Sequence, residues 1–193
     1  FGHIFISIVL LVSLYTFILF LLNESNVGDK QLFFISRVVE IVFVITNVWL
    51  VLRSGQPLIN FGLTTLNAKK AILESVLVSV ILILGLTIIK LFLIQNLTNF
   101  KNLSIISWDY VGWDYYTYIF VAPLQEFICR GVMQGSIQRF LVGRYSSLWA
   151  IVLTSSLFGV FHIHESIELG IIAILGGLLW GWMFVRHKTL IGV

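Results

Sequence analysis

The sequence predicts an all-α fold, a polytopic bundle of transmembrane helices, and three observations predict it. Hydrophobic residues make up 59% of the chain and charged residues only 11%, and the mean hydropathy is +1.01, well outside the range of soluble globular domains. Apolar runs of spanning or near-spanning length recur six times. The lysines and arginines between those runs alternate in abundance from one connection to the next, as they do when a chain crosses a bilayer repeatedly.

The first run, about 4–22, ends at the polar stretch NESNVGDK; it has no charged leader and no small-residue cleavage site, so it reads as a spanning helix rather than a signal peptide. The second, about 33–52, carries Arg37 and Glu40 in its first turns, spaced to pair at i,i+3 or to snorkel. The third, about 71–94, has Lys90 near its end, and the fourth is 117–142. The fifth, about 148–163, is short and ends at His162 and His164. The sixth, about 167–185, contains Gly170, Gly176, Gly177 and Gly181, small residues that let a neighbouring helix approach closely. Residues 1–54 form two N-terminal helices and 55–193 a membrane core. Both ends read as cut from a longer chain, and further helices are expected beyond Val193.

Two connections are long. Residues 53–70 predict a turn around Pro57 followed by a short amphipathic segment on the membrane surface. Residues 95–116 hold Trp108, Tyr110, Trp113, Tyr115 and Tyr116, an aromatic belt for the headgroup layer. The connections after the second, fourth and sixth spans carry Arg53, Lys69, Lys70, Arg139, Arg144, Arg186 and Lys188. Those after the first, third and fifth carry only Lys30 and Lys101, beside six acidic residues. This asymmetry predicts a cytoplasmic N-terminus. The single cysteine, Cys129, excludes a disulfide framework or a paired-thiol metal site and reads as a small core residue. No basic run suggests nucleic acid, and neither a cofactor nor a metal is expected; the expected partners are lipid and a peptide or small membrane protein.

The fourth span, TYIFVAPLQEFICRGVMQGSIQRFLV, is the unusual one. Glu126 and Arg130 sit far from either end, and a charge at membrane depth costs at least about 2.5–3.5 kcal/mol, so such residues face a bundle interior or a wet cavity. Their i,i+4 spacing puts them on one helix face, and Gln134 and Gln138 continue the polar stripe. A structural ion pair would explain the stripe by itself. A catalytic reading needs a partner, and His162 supplies one. Glu126 lies roughly 14 Å into its helix at 1.5 Å per residue, and the antiparallel fifth helix brings His162 to a similar depth, toward the outer half. A carboxylate and an imidazole at one depth can hold and polarise water, with Arg130 keeping the carboxylate ionised and its rotamer fixed. His164 and Glu165 read as a solvated helix end, since no zincin spacing is present.

These residues resemble a known family. The segment Gln125-Glu126-Phe127-Ile128-Cys129-Arg130-Gly131 is similar to the first motif of the CPBP intramembrane glutamic proteases (CAAX proteases and Abi, bacteriocin-processing proteins): two glutamates, three residues, then arginine and glycine. Phe158-Gly159-Val160-Phe161-His162 is similar to the second motif. The glycine-rich sixth span with its basic turn, and Phe61-Gly62-Leu63, resemble further parts of that family. The resemblance covers about 55–193. It implies a membrane peptidase, in a bacterial plasma membrane, that cleaves a peptide bond with no covalent intermediate. In the family, the first glutamate and the second motif's histidine activate water, the second glutamate is held by the arginine, and a histidine and an asparagine on a later helix form an oxyanion site. Here Gln125 occupies the first-glutamate position and cannot be a base, and the later helix would lie beyond Val193.

Three readings follow: Glu126 as base with His162, while Gln125 orients water and Phe158 and Gln134 line the cavity; a catalytically impaired scaffold serving as a membrane-embedded partner; or an ion path, for which no inverted repeat is visible.

Overall fold

In a computed structural model, residues 1–24, 28–101, 103–106, 112–163 and 166–193 are described, with only the backbone of 23, 29, 30, 33, 99, 113–115 and 117. The chain is all-helical among these residues: α1 (Gly2–Asn23), α2 (Asp29–Arg53), α3 (Ala68–Asn96), α4 (Trp113–Glu126), α5 (Gly135–Phe140), α6 (Ser146–His162) and α7 (Ile167–His187). α1, α2, α3 and α7 are each long and apolar enough to cross a bilayer, and α6 is a shorter apolar helix. The predicted fourth span is one unbroken run in which a π-helical segment, Phe127–Gln134, joins α4 to α5. Within it the ladder shifts to i→i−5, as where the Gly135 N–H donates to the Arg130 carbonyl. π turns are rare and recur at functional sites.

The π segment is the spine of the molecule. Every residue from Ile128 to Ile137 is buried. Ile128, Val132 and Met133 meet Ile8 and Val12 of α1, Val51 of α2 and Phe61 in one apolar core. α6 and α7 form the most extensively packed helix pair. By contrast, α3 buries only Ala71 within its length and presents its leucines and isoleucines outward.

The connection after α2 departs from expectation. The turn at Pro57 is present, but it leads into a 3₁₀ turn, Leu58–Phe61, and Phe61 is fully buried. The reversal depends on Gly62, whose φ of +78° is a left-handed conformation open to glycine. A Cβ there would also lie 2.5 Å from the Phe184 ring. Phe61 thus enters the core where the sequence predicts a segment lying on the surface. Of the aromatic belt, Trp108 and Tyr110 lie outside the described residues, and Trp113, Tyr115 and Tyr116 belong to the first turn of α4. His164 and Glu165 also lie outside the described residues.

Candidate active site

The predicted ion pair forms where α4 passes into the π segment. Arg130 Nε donates to Glu126 Oε2 at 3.1 Å. The arginine side chain is fully buried while the carboxylate keeps 16% of its surface. Arg130 Nη1 and Nη2 are sealed from solvent and make no hydrogen bond among the described residues. Among the described residues the guanidinium therefore hydrogen-bonds outward only through Glu126. Oε1 of that carboxylate carries no hydrogen bond within the described residues and has an edge free for a proton.

α6 supplies the second half. Arg130 Cζ lies 5.5 Å from the centre of the Phe158 ring, a cation–π distance. That ring also meets His162, edge-on with centroids 4.4 Å apart. Phe158 and His162 meet because residues four apart share a helix face. His162 Nδ1 lies 2.7 Å from the Phe158 carbonyl. A carbonyl only accepts, so Nδ1 carries the hydrogen and Nε2 is left to exchange protons or bind an anion. No hydrogen bond joins Glu126 to His162 among the described residues. The two are linked through Arg130 and Phe158.

The remaining candidates separate. Gln125 turns from this line: its Oε1 accepts from the Tyr118 hydroxyl at 3.3 Å. Gln134 is fully buried and its Nε2 donates to the Gly181 carbonyl at 2.8 Å, so it ties the π segment to α7. Gln138 donates to Ser147 Oγ at 2.8 Å. Cys129 is a buried free thiol. No group of three or more metal-ligating side chains occurs among the described residues.

Sequence reasoning missed two contacts. Tyr118 is seven residues before Gln125, two helical turns away on the same face, so its spacing carried the signal. Glu74 forms an ion pair with Arg186 Nε at 3.1 Å and pairs with His187 at 2.5 Å. Glu74 lies only four residues into the third apolar run, where a charge can reach the interface, so its position alone gave no signal of these partners.

No curated protein and no solved structure matches the chain. Residues 107–193, which hold the π segment, α6, α7 and the whole Glu126–Arg130–Phe158–His162 line, match the family model described as "Type II CAAX prenyl endopeptidase Rce1-like", and that match is consistent with the CPBP/CAAX-protease family to which the two motifs point.

Proposed function

We propose that the protein is an intramembrane peptidase that hydrolyses a membrane-anchored peptide with Glu126 and His162. The observation that supports this is Phe158, whose ring lies 5.5 Å from the Glu126-bound guanidinium and 4.4 Å, centre to centre, from the His162 imidazole. Through that ring, residues of two helices form one line of contacts from the carboxylate to the imidazole. Water adds through its oxygen to the peptide carbonyl carbon and gives its proton to Glu126 Oε1. His162, protonated at Nε2, hydrogen-bonds the developing oxyanion. The C–N bond then breaks, and the proton held by Glu126 passes to the leaving amine. Arg130 is a positioning residue: its Nη atoms are buried, and it acts by fixing the carboxylate.

The site lies toward the end of the bundle away from the basic connections. With those connections cytoplasmic, a peptide on the outer side fits better than a cytoplasmic tail bearing a prenyl group. A second reading rests on Gln125, which supplies no base where the family motif has a glutamate. It makes the chain a binding scaffold.

One assay separates the two: cleavage of a membrane-anchored reporter peptide by the protein in liposomes. The peptidase reading expects turnover by the native chain, a loss of about 10²–10⁴-fold in His162→Ala, and a gain in Gln125→Glu. No cleavage by either the native chain or Gln125→Glu would establish the scaffold reading.

A further inference from the structure

A second polar site lies outside this line, where α3 begins and α7 ends. A cavity of about 550 Å³ is bounded by Asn67, Lys70, Glu74, Arg186 and His187, with Leu73 and Leu77 as its apolar wall. The floor is built. Glu74 holds Arg186 through Nε at 3.1 Å and His187 at 2.5 Å. Asn67 Nδ2 donates to the His187 carbonyl at 3.2 Å. The Arg186 guanidinium also lies 5.2 Å from the Trp182 ring centre, and the side chain is 57% exposed. It is thus held by Glu74 at its Nε edge while much of the side chain stays open to solvent. Lys70, exposed, has no ion-pair partner among the described residues. The acid at the centre offsets one cation, so the cavity keeps net positive charge.

The shape of this site is amphiphilic. Leu73 and Leu77 follow Lys70 down one face of α3, 73% and 60% exposed, toward the middle of the span. A cationic floor at the end of a membrane helix, continuous with a leucine track running into the bilayer, matches a phosphate headgroup with an acyl chain beneath it. We propose that the α3–α7 cleft binds an anionic phospholipid, its phosphate between Lys70 and Arg186 and its chain along Leu73 and Leu77. Basic pockets between transmembrane helices take such headgroups, with each cation near the surface contributing roughly fivefold in affinity. The bound lipid bridges α3, which buries little of itself, to the core through α7. This inference is independent of the peptidase reading.

The test is titration of the full chain in neutral detergent with phosphatidylglycerol or phosphatidylcholine, read by native mass spectrometry. One phosphatidylglycerol should bind in preference to phosphatidylcholine. Lys70→Gln, a change at an exposed unpaired side chain, should weaken that binding about fivefold. Arg144→Gln, an exposed arginine at the same end but outside the cleft, should leave it unchanged. Equal binding of both lipids, an unaffected Lys70→Gln, or an equal loss in Arg144→Gln would overturn the proposal. Full displacement of the lipid by millimolar inorganic phosphate would overturn it too, in favour of a free anion.

Discussion

Arg130 shows at the scale of one residue what the membrane demands. Its side chain has no exposed surface, and among the described residues its only hydrogen-bonded partner is Glu126. Removing one member of a buried pair costs about 3–5 kcal/mol, because the other charge is left uncompensated. Glu126→Ala should therefore lower folded yield and thermal stability as well as abolish turnover. Normal yield and an unchanged melting temperature would show that the pair is not what holds the π segment. The pair itself was legible from an i,i+4 spacing. The tautomer of His162 was not, since it depends on the ring turning back to its own helix's carbonyl.

Among elements, the packing that holds α6 in place is its contact with α7, and it is set by glycines. The predicted glycine run does allow close approach, but not at every member. A Cβ on Gly177 would lie 2.9 Å from Ser155, and one on Gly181 2.8 Å from Gln134 Oε1, whereas Gly176 has only Trp180 Nε1, at 3.9 Å. Four small residues on a helix span more than one face, so the run by itself could not say which of them meet a neighbour. Gly159, in the second motif, is the tightest: its Cβ would come within 2.2 Å of Ile174 and 2.7 Å of the Gly170 carbonyl. Gly159→Ala should destabilise by about 1–3 kcal/mol and loosen the α6 face that carries Phe158 and His162. Gly176→Ala should change stability by less than about 0.5 kcal/mol. Thermal unfolding of the two variants side by side checks this; equal effects would mean that α6 and α7 do not pack through these glycines.

The whole molecule was legible where charge and hydrophobicity speak and illegible where chain segments meet at long range. The six apolar runs follow from transfer free energy and the alternation of basic connections from the positive-inside rule. The basic connections do converge on one end of the bundle. Arg139 donates to Asn60 at 2.6 and 3.2 Å and lies over the Phe1 ring at 5.1 Å, and the Leu190 N–H donates to the Gly62 carbonyl at 3.0 Å. The inward turn at Phe61 and the pairing of Glu74 with His187, 113 residues on, were hidden because no local pattern encodes a distant partner. Which side of the membrane that basic end faces rests on the positive-inside rule, and it decides which peptides can reach His162. Labelling with a membrane-impermeant maleimide tests it, with little background because Cys129 is buried. Ser166→Cys and Ser104→Cys, near the opposite end, should react in intact cells, and Thr65→Cys, in the connection beside Gly62, only after permeabilisation. Ser166 Oγ accepts from the Leu169 N–H at 3.0 Å, so the first variant gives up a helix cap worth about 1 kcal/mol, and Ser104→Cys supplies the reading free of that cost. The reverse pattern would place the basic end outside, turn the site toward the cytoplasm, and make a prenylated tail the better substrate.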